Sequence, residues 1–354
     1  MHKTSFLGSA LPLIQAPMAG VQGSGLAIAV CNAGGLGSLP CAMLTADTLR
    51  QELAQLTQHT RQPYNVNFFC HPAKPADSHQ ESAWRSTLAP YYAELGLDVA
   101  SIPTGPGRSP FDAASADILE TFRPPVVSFH FGLPSPALLA RVKSWGSKVL
   151  SSATTVEEAL WLEAHGVDAI IAQGLEAGGH RGMFLTRDLT TQMGTFALLP
   201  QIVQVVRVPV IAAGGIADTS GVAAALALGA QAVQVGSAYL LCPEATTSAV
   251  HRAALQGPAA HHTALTNVFT GRPARGIVNR AMREIGPLSA AAPDFPWATG
   301  AMAPLRARAE STGSGDFSPL WCGQNARGCR SVPAAELTRS LMDSAARPGR
   351  ATAP

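Results

Sequence analysis

Apolar residues recur in short runs rich in β-branched types, and between the runs the spacing relaxes into Ala- and Leu-rich stretches of helical period. The runs fall at residues 13–16, 36–39, 64–68, 126–129, 148–152, 169–172, 209–213 and 232–235, and helical segments such as 24–32, 155–165 and 220–228 lie between most of them. Apolar runs of this kind belong to strands buried on both faces, as when parallel strands are covered by crossover helices. A set of eight predicts an α/β chain closed into a (β/α)8 TIM barrel. An open doubly wound sheet gives similar local patterns and is the alternative. The polar residues at the ends of the runs favour the barrel.

Two stretches exceed the minimal repeat: residues 71–123, between the third and fourth runs, and everything after 240. The expected organisation is a barrel over 1–240 with an excursion at about 71–123. A smaller, mainly helical second lobe over 241–344 covers the site, with part of it returning to the barrel, and 345–354 form a disordered tail.

Composition narrows the class. Hydrophobic residues make up 47% of the chain and charged ones 14%, so most of it must be packed interior. The net charge of +2 comes from scattered Lys and Arg, without the basic stripe of a nucleic-acid binder, which leaves a small molecule as the expected partner. Six cysteines, at 31, 41, 70, 242, 322 and 329, form no C-x2-C pair and have no His at zinc spacing. Neither a metal nor a disulfide framework is expected, which favours the cytoplasm. Pro12 interrupts the start before any secretion signal develops, and runs such as 222–228 are too short to span a membrane.

In a βα-barrel the loops that follow the strands gather at one face, so polar residues at strand C-terminal ends should meet there. Met18 follows the first run, Asn67 ends the third, His130 the fourth, and Gln173 the sixth, just before Gly178-Gly179-His180. The last two runs end in Gly214-Gly215 and in Gln234-Val235-Gly236-Ser237. Glycine lets successive N–H groups approach an anion, and these two loops are the usual phosphate site of the fold. Gly214-Gly215 taken alone also reads as a tight turn into the helix at 220. No G-x-G-x-x-G, no G-x-x-x-x-G-K-[ST] and no G-x-S-x-G occurs in these contexts, which suits a mononucleotide such as FMN. Asn67 and Gln173 can match a flavin's donors and acceptors. Of ten histidines, His180 stands out by its glycine-rich loop at the catalytic face, and His130 by ending an apolar strand where it must find a partner.

With these residues in place, the strings LPLIQAPMAG, CNAGGLGS, NVNFFCH, VVSFHFGLP, AQGLEAGGHRG, AAGGIAD, QVGSAYLLCPE and TGRPARG, in this order, resemble the bacterial class I nitronate monooxygenases. The resemblance implies an FMN-containing TIM barrel with a smaller lobe. It implies FMN contacts at Met18, Asn67, Gln173, Gly178, Gly215, Gln234, Val235, Gly236 and Ser237, joined by the neighbouring Gly179 and Gly214. It also implies His180 as the catalytic histidine and His130 as a second pocket histidine. The implied reaction is oxidation of an alkyl nitronate by O2 to a carbonyl compound and nitrite, beginning with one-electron transfer to FMN. Where the family carries tyrosines and a lysine, this chain has Phe295, Thr299 and Ala303, and no clear counterpart of a further tyrosine within 100–107. That loss speaks against a carboxylate-bearing nitronate and leaves open a more apolar substrate or a changed reaction. An NAD(P)H-dependent flavin reductase of the enoyl or quinone reductase type, or an FMN-binding barrel without turnover, stays open on the same scaffold. The roles of Arg272 and Arg275, ligand contact or tying down the lobe, and the oligomeric state are left open too.

Overall fold

Pairing along the chain builds a ring of eight parallel strands. The computed structural model describes residues 6–103 and 108–343. The strands are β1 (Leu13–Gln15), β2 (Gly37–Pro40), β3 (Tyr64–Phe69), β4 (Val126–His130), β5 (Lys148–Ala153), β6 (Ala169–Gln173), β7 (Gly179–His180), β8 (Val210–Ala213), β9 (Ala232–Val235), β10 (Thr263–Thr266) and β11 (Ala274–Ile277). The large sheet runs β1-β9-β8-β6-β5-β4-β3-β2, all neighbours parallel. A parallel bridge between Ile14 and Leu36, with Gln15 N donating to Leu36 O at 3.0 Å, joins its two edges. An open sheet has no such contact, so the barrel reading stands.

Side chains alternate across each strand. Ile14, Leu36, Val126, Leu150, Ala169, Ile171, Ile211 and Ala232 share one apolar cluster inside the ring. Their strand neighbours Leu13, Val127, Val149, Ile170, Val210 and Val233 pack outward against the helices in the main core. Two residues further along, the inward positions turn polar. Asn65 donates to Ser38 Oγ and Ser128 Oγ at 3.0 and 2.9 Å. Above this layer Asn67, His130, Ser152, Gln173 and Gln234 reach the C-terminal mouth. The apolar floor and polar ceiling put any chemistry at that mouth.

The excursion and the C-terminal segment share one core. Helix Ser78–Glu94 turns Trp84, Leu88 and Tyr92 toward Phe269, Met282, Met302 and Leu305. Tyr92 Oη donates to Ala301 O at 2.7 Å and Trp84 Nε1 to Ala298 O at 3.3 Å. Helices Ala249–Gln256, Arg280–Glu284 and Ala298–Ser311 complete the lobe. Helix Ala334–Asp343 lies on the barrel, where Leu337 and Leu341 enter the main core and Thr338 Oγ1 meets Tyr239 Oη at 2.9 Å.

One element was absent from the reading of the sequence. β10, β11 and β7 form an antiparallel three-stranded sheet, with His180 opposite Ala274 and Gly179 opposite Arg275. Strand β7 belongs to the loop after β6, so the lobe is hydrogen-bonded directly to the segment carrying His180. The tail at 345–354 lies outside the described residues. Among the described residues no helix is long and apolar enough to cross a membrane.

Candidate active site

A cleft of roughly 1300 Å³, its open mouth included, lies at the C-terminal end of the barrel. It is lined by Met18, Asn67, His130, Gln173, Gly178, Gly179, His180, Gly214, Gly215, Gln234, Gly236 and Ser237. The sequence-derived candidates therefore meet in space, apart from the side chain of Val235. Val235 does not line the cleft: its side chain is buried in the outward-facing core and its carbonyl accepts from Ala16 N at 2.8 Å. Strand alternation is the reason, because Gln234 points inward and its neighbour must point out.

His180 is held by a staple within its own loop. Gln173 Nε2 donates to His180 O at 3.0 Å, and Gln173 Oε1 accepts from Gly182 N at 2.8 Å. Arg181, fully buried, donates to Gly174 O at 2.6 Å, Gln173 O at 2.7 Å and Gln192 Oε1 at 3.0 Å. Glu158, also fully buried, accepts from Thr154 N and Oγ1 at 2.7 Å and from Phe184 and Leu185 N. Gly182 has no substitute, since a Cβ there would stand 2.9 Å from both His130 Cε1 and Ser152 Cβ. The loop is thus fixed at both ends by buried groups that bond within it, to β6 and to the turn after β5.

The partners of the two histidines bear on their tautomers. With the Thr270 hydroxyl hydrogen on Arg272 O, 3.3 Å away, the 3.0 Å contact with His180 Nε2 uses the ring's N–H and the hydroxyl's lone pair. Nδ1 of His180 makes no hydrogen bond among the described residues, which leaves its lone pair to the cleft. His130 donates from Nε2 to His180 O at 3.2 Å, and its Nδ1 accepts from Ser152 Oγ at 3.0 Å. Both of its nitrogens are used, which makes it a support for the loop rather than a free acid or base.

Electrostatics keep both rings neutral. Burial, followed by the charge of Arg108 and then by His130, Arg272 and His71, holds His180 well below the usual imidazole range. Burial drives His130 down to about 3. Around His180 stand Phe69, Phe131, Phe295 and Trp321, with ring centroids 6.0, 5.9, 5.4 and 5.6 Å away. Such a wall excludes water and favours an uncharged imidazole.

Several lining residues carried no signal in the sequence. Phe69, Arg108, His251, Trp321, Gly323 and Asn325 all line the cleft. His251, Trp321, Gly323 and Asn325 come from the lobe, where no strand-end rule applies. Asn325 Nδ2 donates to Gly215 O at 3.0 Å, and Gly323 N to Ser237 Oγ at 2.9 Å, so the lobe also braces both glycine turns. Arg272 and Arg275 tie the lobe down and do not line the cleft. Arg272 lies 3.8 Å above the Phe131 ring and donates to Met183 O, while Arg275 donates to Leu175 O at 2.9 Å.

Fold and site together define a βα-barrel enzyme with a ligand cleft at its C-terminal mouth and a dehydrated neutral histidine in the wall. Comparison with known proteins gives the family. The model described as "Nitronate monooxygenase" matches residues 1–344. Nitronate monooxygenase of Paraburkholderia phytofirmans is 45% identical over 95% of this chain and 92% of its own, and that of Pseudomonas aeruginosa 43% over 96% and 97%. Among solved structures, nitroalkane oxidase from Streptomyces ansochromogenes aligns with a TM-score of 0.87 at 39% identity, covering 96% of each chain. FabK from Thermotoga maritima is more distant, with a TM-score of 0.71 at 26% identity over 96% and 94%. The chain belongs to the nitronate monooxygenase family of oxidoreductases.

Proposed function

We propose that this chain uses FMN, held at the barrel mouth, to oxidise alkyl nitronates with O2 to carbonyl compounds and nitrite, with His180 orienting the substrate. The observation that carries this reading is the pairing, across one cleft, of unused backbone donors with the unused lone pair of a neutral imidazole. The N–H groups of Gly214, Gly215 and Gly236 donate to no acceptor among the described residues, and Gly215 has φ +71°, open to a close anionic approach. Those turns suit a phosphate. Gln234 Oε1 is buried in the cleft wall without a partner, a group whose desolvation a flavin's N–H or a ribityl hydroxyl would offset. Asn67 spends its amide hydrogens on Ser128 O and Oγ, at 3.2 and 2.9 Å, and so offers the cleft an acceptor only. Gln173, already stapling the His180 loop, has one amide hydrogen left over.

When bound, FMN supplies the electron acceptor through which O2 is reduced. The remaining tasks fall to this chain's own residues. A nitronate is already an anion, so no proton need be removed from it. The aromatic wall excludes water, and the uncharged His180 ring bounds the space in which the nitronate is held. For a neutral nitroalkane, Nδ1 is the atom that takes the α-proton, and Thr270 then holds the Nε2–H of the imidazolium that forms. His130 acts on this atom through the His180 carbonyl it binds.

The test is an absorbance spectrum of the purified protein, followed by O2 uptake and nitrite release with a panel of alkyl nitronates. Flavin bands with nitrite formed in step with O2 consumption are expected. A protein free of flavin, or one whose flavin bleaches rapidly with NADH in the absence of air while no nitrite appears, rules the proposal out.

A further inference from the structure

Among the described residues Arg108 is the only Arg, Lys, Asp or Glu that lines the cleft, and none of them places a carboxylate there to balance its charge. Its guanidinium lies 5.6 Å from the centroid of the Phe295 ring, which is itself 5.4 Å from the His180 ring. Among the described residues no acceptor engages its five N–H groups. The nearby charges are already spent: Arg306 pairs with Glu310 at 2.8 Å, and Asp294 with Lys74 at 2.8 Å and with Arg187. Burial and then Arg306 lower the pKa of Arg108 to about 10, which still leaves it charged at neutral pH. A cation partly withdrawn from water without a counter-charge is costly to maintain unless a ligand supplies the anion.

We propose that Arg108 is the specificity-determining residue of the cleft, receiving a planar pair of anionic oxygens from the substrate. The inference rests on the nitronate reading. A nitronate and a carboxylate present the same geometry, two oxygens on one planar centre, and the guanidinium fork matches either bidentately. The anion is therefore the nitronate group itself or a carboxylate carried on the same molecule. The distal end of the cleft is not the purely apolar surface that Phe295, Thr299 and Ala303 suggest in the sequence, because a cation absent from that comparison stands over Phe295. The charge also bears on His180, whose proton affinity it depresses. An anion seated on Arg108 cancels part of that field and so raises the proton affinity of the imidazole.

The holoenzyme and its Arg108→Gln and Arg108→Lys variants, checked for folding by their flavin absorbance, are compared on a short alkyl nitronate, a nitronate with a terminal carboxylate, and a neutral nitroalkane. Arg108→Gln is expected to raise KM at least about tenfold for an anionic substrate with a smaller effect on kcat, and Arg108→Lys to recover part of the loss. An effect on both nitronates identifies the nitronate oxygens as the partner, and an effect confined to the second identifies the carboxylate. For the neutral nitroalkane, KM should hold while the acidic limb of kcat/KM moves to higher pH in Arg108→Gln. Unchanged KM for both anions, or an equal rise for the neutral substrate, overturns the assignment. Calorimetric titration with propionate keeps the two readings apart. Binding that depends on Arg108 in a protein releasing no nitrite would sink the nitronate chemistry and leave the anion site standing, whereas propionate binding equally well without Arg108 would count against the site.

Discussion

Thr270 Oγ1 stands 3.0 Å from His180 Nε2 and accepts a hydrogen bond from the ring when its own hydrogen is on Arg272 O. One hydroxyl from the lobe thereby selects the tautomer of a histidine in the barrel's sixth loop. Thr270→Val should lower kcat/KM for a neutral nitroalkane by about 10–100-fold with little change in flavin content, and Thr270→Ser should restore most of it. Steady-state kinetics on the three proteins decide. Equal rates for Thr270→Val and its parent would mean that the tautomer is set elsewhere.

His180→Asn should retain flavin, since Gln173 and His130 bind the His180 carbonyl rather than its ring. Turnover of a neutral nitroalkane should fall by about 10²–10⁴-fold. A preformed nitronate should suffer less, because its proton is already gone. Nitrite release with each substrate form measures the difference, and full activity on both would remove His180 from the chemistry.

Gly215 adopts φ +71° at the end of β8, so Gly215→Val strains the turn and places a branched side chain over the N–H groups assigned to the phosphate. A stability loss of about 1–3 kcal/mol is expected from the backbone alone. The flavin should be lost even where the fold survives. Far-UV circular dichroism alongside the flavin spectrum separates the two effects.

Several buried histidines make the fold acid-sensitive in a predictable window. Burial lowers His71 and His251 to about 4 and His130 to about 3, against an ordinary value near 6.5. The unfolded chain therefore binds more protons below about pH 6.5, and stability is lost as pH falls from there toward the folded values. Each histidine contributes up to about 1.4 kcal/mol per pH unit in that window. Denaturant midpoints measured from pH 7 to pH 4 should show the slope, and His251→Phe should flatten it.

What the sequence discloses follows from how local each signal is. Strand runs, helix periods and the polar residues at strand ends are local, and they located His130, His180, Asn67 and Gln173 at one mouth. In the run from Gln234 to Ser237 the Val235 side chain faces the outer core, because a strand shows only every second side chain to the same face. Arg108, His251 and Trp321 reach the cleft from segments without barrel periodicity, so their positions depend on how the lobe packs, and nothing in their neighbouring residues records that. The sheet formed by β7, β10 and β11 was invisible for the same reason: two residues, Gly179 and His180, are too few to show alternation.

That short strand has a mechanical consequence. Because β7 pairs with β11, the His180 imidazole is mounted on the seam between the barrel and the lobe. Any hinging wide enough to unseat the upper half would dismantle the reaction centre along with it. Traffic of small molecules must pass through the existing mouth, and the size of that aperture sets how bulky a guest can be turned over.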